Sequence, residues 1–169
     1  MNPFPIRLTN FYLIWAFAGL LMTPACTLAA SSPACASAAP DSILSCLEHT
    51  YATRDFETYR QMLASDFQYR FKDTGWGLEE ELTAAERMFH PDSTESMSLT
   101  FGSEYKLSDG PEPGTWVLSG LTLTMAIDRQ QGGSLRHYEV TNRADELWLR
   151  LEAEPTPHIL IYRWVSSGE

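Results

Sequence analysis

The sequence predicts an α+β domain in which a strongly curved antiparallel sheet wraps as a cone around three N-terminal helices. Two periodicities carry this. Apolar residues recur every three or four positions through most of residues 42–89, and they alternate with polar ones along much of the later chain. The switch is visible inside "YATRDFETYRQMLASDFQYRF" (51–71), where Phe56, Tyr59, Met62 and Leu63 keep helical spacing and Phe67, Tyr69 and Phe71 then alternate. A third observation sets the shape. The later strand-like stretches run to about 10 to 18 residues against a usual five or six, and strands that long must twist and bend to bury one face.

The elements follow in order. Asp41 or Ser42 caps the first helix behind Pro40, and Ile43, Leu47 and Tyr51 line its apolar face. "TRD" ends it, Asp55 caps a second short helix, and from Asp66 the chain reads as the first strand. "DTGWG" (73–77) reads as a loop. Leu78, Leu82, Ala85 and Phe89 then mark a third helix, with Glu79, Glu80 and Glu81 in its first turn and Arg87 in its last, signs that suit the helix dipole. Four strands complete the domain: "SMSLTFGSEYKLS", "TWVLSGLTLTMAI", "SLRHYEVTNRADELWLRL" and "HILIYRWVSS". Turns at "DGPEPG", "DRQQGG" and "EPTP" separate them.

At 169 residues, 44% hydrophobic and 12% aromatic, there is room for one domain with a sizeable core plus a leader. The formal charge of −10, without a Lys/Arg cluster, argues against nucleic acid and anionic membrane surfaces as partners. Arg7 precedes the apolar run Phe11–Met22, which is short of the roughly 20 residues a spanning helix needs and fits a signal sequence. Residues 1–25 read as signal peptide, 26–40 as an Ala/Ser/Pro-rich tether and 41–169 as the folded domain. Cys26 after Ala25 resembles a bacterial lipobox, although Thr23 and Pro24 depart from its pattern. Acylation at Cys26 and ordinary cleavage at "TLA" (27–29) or "ASA" (36–38) are the two alternatives, giving a periplasmic or envelope lipoprotein or a soluble secreted protein. Of the 3 cysteines, Cys46 reads as a small buried hydrophobe, and a disulfide from Cys35 in the tether is the alternative.

The elements and residues together resemble a known family. "SILSCLEHTYATRDFETYRQMLASDFQYRF" resembles the helix, "RD", helix, "L..DF.F.F" opening of the nuclear transport factor 2-like superfamily, the cone-shaped fold shared with ketosteroid isomerases and SnoaL-type cyclases. "WGLEEELTAAERMF" is similar to its third helix, and "HYEVTNRADELWLRL" and "ILIYRWV" to its closing strands. The resemblance spans about residues 41–166, comes nearest to exported bacterial members and implies the fold rather than an activity. It places the isomerase's first-helix tyrosine at Leu47 and its base near Phe71. Neither residue can move a proton, so that chemistry is not carried over. Asp73, two residues on, reads as an ordinary loop residue. The resemblance also implies a homodimer through the outer sheet face, which would cover "ELWLRL" and "HILIYRWV", apolar on both parities.

Other chemistry finds little footing. The 4 histidines (His49, His90, His137, His158) lack metal spacing, so no metal or cofactor is expected. "SEYK" (103–106) matches a hydrolase motif but lies in a strand, and the Glu79–Glu81 run reads as a solvated helix start. What exceeds background is aromatic. Tyr51, Phe67, Tyr69, Phe71, Trp76, Tyr138 and Trp148, with Tyr162 and Trp164, would line an apolar pocket if the cone is unfilled and would be plain core if it is filled. In the third long strand Tyr138, Val140, Asn142, Glu146 and Trp148 share a parity that conflicts with Leu147, Leu149 and Leu151. Either both faces are buried or a bulge near 142–145 switches them. If the first parity faces the cone, Glu146 becomes the buried carboxylate.

Three functions remain. The leading one is an exported domain that binds a small apolar ligand or a partner protein without chemistry. A rival is an isomerase, dehydratase or cyclase using Glu146 or His137, and a third is a structural dimer with a filled core. Membrane contact is expected only through an N-terminal lipid.

Overall fold

The computed structural model describes Cys35 and residues 39–90, 94–131, 134–153 and 157–166, within the compact unit Ser31–Glu169. The expected signal sequence, Cys26 and most of the tether lie outside the described residues. Three helices and seven strands follow in the order α1 (Ser42–Thr53), α2 (Phe56–Met62), β1 (Leu63–Phe71), β2 (Thr74–Gly77), α3 (Leu78–Phe89), β3 (Ser96–Phe101), β4 (Lys106–Asp109), β5 (Thr115–Gln131), β6 (Ser134–Glu152) and β7 (His158–Ser166).

The helices end where local chemistry stops them. Arg54 turns into the left-handed region (φ 55°) and closes α1 with its N–H on the Tyr51 carbonyl. Asp55 then caps α2, its Oδ1 accepting the Thr58 N–H at 3.0 Å and its Oδ2 the Thr58 hydroxyl at 2.6 Å. In α3 the Gly77 N–H is satisfied by Glu80 at 3.2 Å, and the three glutamates of the first turn face the helix's positive end. Leu47, Tyr59, Leu118, Leu121, Leu147, Leu149 and Ile161 are wholly buried between helices and sheet. Tyr51, Tyr59 and Phe89 pack edge-to-face, with ring centroids 5.1 to 5.7 Å apart. Leu47, the position aligned with a catalytic tyrosine, is therefore core.

The sheet runs β2-β1-β7-β6-β5-β3, with β4 also paired to β5. It is mixed rather than wholly antiparallel, because β7 lies parallel to β1. That pairing joins the two ends of the domain, so no hairpin turn announces its direction in the sequence. Two further expectations are corrected. Residues 74–77 are not loop but β2, folded back on β1 so that Trp76 sits opposite Tyr69. The stretch 96–108 is two strands, broken where the Gly102 N–H bonds to the Thr122 carbonyl.

The long β5–β6 pair bends at a reciprocal irregularity. Between Leu118 and Leu121, β5 carries one extra residue, with Gly120 left-handed (φ 72°). Between Asn142 and Asp145, β6 carries one extra residue, with Ala144 left-handed (φ 59°). The two bulges cancel in register, yet each flips the facing of its own strand. Asn142 and Asp145 consequently both point inward, and the parity conflict in the sequence resolves as a bulge.

On the convex face the aromatic residues of β6 and β7 are roofed by arginines of the same sheet. Arg163 lies 5.1 Å over Trp148 and Arg150 lies 5.5 Å over Tyr162. Arg150 also grips Asp66 with both guanidinium nitrogens, at 2.8 and 3.0 Å. Much of the doubly apolar character read from the sequence is thus covered within the chain.

Cys46 is not a free buried thiol. It is bonded to Cys35, the two Cα atoms 4.8 Å apart, and at 2% exposure it remains inside the core.

A bulge with an L-residue at positive φ carries a backbone cost of about 1–2 kcal/mol, larger than the entropy glycine adds to the unfolded chain. Ala144→Gly should therefore raise stability by up to about 1 kcal/mol, whereas Ala144→Val should lower it. Urea unfolding of the two variants reads both signs.

Candidate functional site

The cone is not filled. A cavity of about 200 Å³ opens between α3 and the concave face of the sheet. One wall is aromatic: Trp76 stacks on Tyr69 with centroids 4.2 Å apart and planes 21° from parallel, and Tyr69 leans on Trp164 at 6.2 Å. The opposite wall is aliphatic and sulfur-bearing, made by Leu99, Leu123, Met125 and Met88. Ala84 and Ala85 of α3 leave the space open, and Tyr51 reaches it from α1.

Two carboxylates line this cavity, and each is oriented by an indole. Asp145, 1% exposed, accepts the Trp164 Nε1–H at 3.1 Å and the Ser166 hydroxyl at 2.9 Å. The Ser166 oxygen in turn accepts from the Asn142 amide at 3.0 Å. Ser166 at the end of β7 thus joins both residues that flank the β6 bulge. Glu81 of α3 accepts the Tyr59 hydroxyl on one oxygen and the Trp76 Nε1–H on the other, each at 2.6 Å. These paired hydrogen bonds fix the two groups in place.

The tyrosines are held neutral. Burial, then the charge of Glu81, raises the Tyr51 hydroxyl well above its ordinary range, and burial with the proximity of Tyr51 and Glu81 does the same for Tyr59. Tyr69 is raised by burial first, with Asp145 and Glu81 adding to it and a hydrogen bond to Ser166 opposing it.

Of the residues expected at the pocket, the cavity brings together Tyr51, Tyr69 and Trp76. Phe67 is core beneath it, and Phe71 lies half-buried at the end of β1 against Lys72. Tyr138 shares the inward parity of Asn142 but stands exposed toward the hairpin end. Trp148 is on the convex face, where its Nε1–H is donated to Glu146 at 3.1 Å. Glu146 therefore sits outside the cone, one residue from the carboxylate that is inside, because the Ala144 bulge sets the facing. His137 is exposed beside Asp128 at 2.7 Å. That aspartate, held low by the Ser96 hydroxyl and then by His137, raises the imidazole's proton affinity.

Sequence reasoning missed Asp145, whose facing depends on the bulge. Glu81 had a signal: it falls on the helical stripe of Leu78, Ala85 and Met88, unlike the exposed Glu79 and Glu80. Reading the whole run as solvated is corrected by Tyr59 and Trp76. Among the described residues, no group of three His, Cys, Asp or Glu is placed to hold a metal, and no helix is long and apolar enough to cross a membrane.

No protein-family model and no curated protein matches the chain. Solved structures do. A candidate aromatic ring hydroxylase from Novosphingobium aromaticivorans superposes with TM-score 0.61 at 11% identity, over 76% of this chain and 85% of that one. A conserved protein from Planctomyces limnophilus gives 0.55 at 14%, over 74% and 89%. A nuclear transport factor 2-like superfamily protein from Salmonella enterica serovar Typhimurium gives 0.54 at 12%, over 73% and 84%. The fold is the nuclear transport factor 2-like one, and identities this low carry no activity with it.

Asp145→Ala strands two buried donors and should cost about 2 kcal/mol or more, whereas Asp145→Asn retains an acceptor and should cost less than half of that. Denaturant unfolding separates the two. The raised tyrosines set a second expectation. Their folded-state values exceed the ordinary 10.0, so what they contribute is complete below pH 10 and is lost as pH rises beyond it. Tyr51→Phe should therefore flatten the alkaline limb of the stability profile and leave the acid limb unchanged.

Proposed function

We propose that this chain is an exported domain that holds a small, flat, mostly apolar molecule in the cone and performs no reaction on it. The observation that carries this reading is the open, aromatic-walled cavity of about 200 Å³. That is below the usual range of roughly 300–1,000 Å³ for drug-sized ligands, and suits a single substituted ring. Export is supported by the apolar run behind Arg7 and by the Cys35–Cys46 bond, since disulfides persist mainly in oxidising compartments.

Acid–base turnover is the second reading, favoured by the presence of a buried carboxylate in the cavity. It would use Asp145 in place of Glu146 or His137. Holding is preferred because reactions at a carbonyl need donors aimed at the oxygen that gains charge. Here the indole N–H groups of Trp76 and Trp164 and the hydroxyls of Tyr59 and Ser166 are directed at the protein's own carboxylates.

Single-ring compounds should quench the tryptophan fluorescence of the purified chain saturably, and compounds of three or four fused rings should not. Ala84→Phe, which projects a ring into the space, should abolish the quenching while shifting the unfolding midpoint little. Quenching that survives Ala84→Phe, or turnover of any bound ring, would reject the proposal.

A further inference from the structure

We infer that the free edge of β6, residues 134–141, pairs with the same segment of a second copy of this chain, joining the two sheets about a twofold axis beside Tyr138. The inference concerns the sheet edge and is independent of what the cone holds. β6 is paired to β5 from Ser134 to Arg150, but β7 covers its other side only from Glu146 to Glu152. Among the described residues no strand lies beside 134–141 on that side. Every second residue there directs its backbone N–H and C=O outward, which is a template for another strand. The other edges of the sheet are protected: β2 is four residues with two glycines, and β3 packs against α1. The β6 edge holds no proline or lysine, its bulge lies beyond it at Ala144, and it is exposed on both faces. It also carries the three most exposed large apolar side chains among the described residues, Leu135, Tyr138 and Val140, at 58, 48 and 49%.

The charges of this edge select a copy of itself as the occupant. A twofold pairing of antiparallel strands sets residues of the same facing opposite one another, so each register is centred on one residue. Centred on Arg136, His137 or Glu139, the pairing would bring two like groups together. Centred on Val140, it would set the partner's Ser134 opposite Glu146, where β7 already lies. Centred on Tyr138, it sets His137 against the partner's Glu139 twice over, places two tyrosines side by side, and lays the aliphatic stem of Arg136 on the partner's Val140. The hydrogen bond to Asp128 at 2.7 Å holds His137 toward its charged form. Within the chain its Nε2 stands 3.8 Å from Glu139, so that carboxylate still has room for a closer cation. In this register the partner's Ser134 falls opposite Asn142, and β7 stands clear of it.

Sedimentation equilibrium of the purified chain over the micromolar range should show a reversible dimer. Glu139→Lys sets two cations opposite each other at both symmetric positions, and should weaken the dimer at least about tenfold. The side chain is exposed, so the unfolding midpoint of the variant's monomer should change little. A second pair of variants reads the register. Under mild oxidation Tyr138→Cys should give a covalent dimer, because only at the axis does a residue meet its own copy. Arg136→Cys, on the same facing, and the unsubstituted chain should give none. A chain that stays monomeric throughout the range would overturn the inference. So would a dimer whose affinity is untouched by Glu139→Lys, or one that does not crosslink through Tyr138→Cys.

Discussion

Much of this domain depends on one serine. Ser166, almost wholly buried at the end of β7, donates to Asp145 and accepts from Asn142, the two residues on either side of the β6 bulge. A left-handed alanine between them is a cost the strand would shed if nothing held it. The Ser166 hydroxyl and the Trp164 indole hold it by satisfying polar groups that exist in this place only when the bulge is present. Facing it, Gly120 supplies the matching extra residue on β5 at a position where glycine carries no such cost. Because the two extra residues cancel, the ladder resumes its register and the sheet bends without losing its pairing.

The cavity is a consequence of that bend. Leu123 and Met125 of β5 line the gap across from Ala84 and Ala85 of α3. The polar groups in the gap are organised as two separate carboxylate clamps, one built on the helices and β2, the other on β6 and β7. Each clamp spends an indole N–H that a reaction would want aimed at its substrate. A site whose donors point at its own acids keeps them from a guest and leaves it the ring faces, which is why holding is preferred to turnover.

The convex face shows the opposite solution to a similar problem. Trp148 and Tyr162 would be a bare aromatic strip, yet Arg163 and Arg150 lie across them and Asp66 fixes Arg150 in turn. Burying aliphatic stems and planar guanidinium groups on aromatic rings lets the sheet keep large residues on a surface that stays polar at its outer edge. The Cys35–Cys46 bond works at the other boundary of the fold, tying a residue ahead of α1 to that helix's buried side.

Local chemistry in the sequence was enough for the helices and for the class of fold. Asp55 as a cap, the stripe from Leu78 to Phe89 and the change from helical to alternating spacing near Leu63 are each decided within a few residues. So is the length of β5 and β6, and with it the need for curvature. What the tertiary structure alone decided is which carboxylate enters the cone. Asp145 and Glu146 are neighbouring acids, and the conflict of parities left two alternatives open, both faces buried or a bulge near 142–145; the structure has the bulge. Its position follows from Ser166 and Trp164 on another strand, from Gly120 on a third, and from β7 lying parallel beside β1. Those partners are distant in the chain, and facing in a strand has a period of two, so a single residue settled by remote contacts reverses everything beyond it.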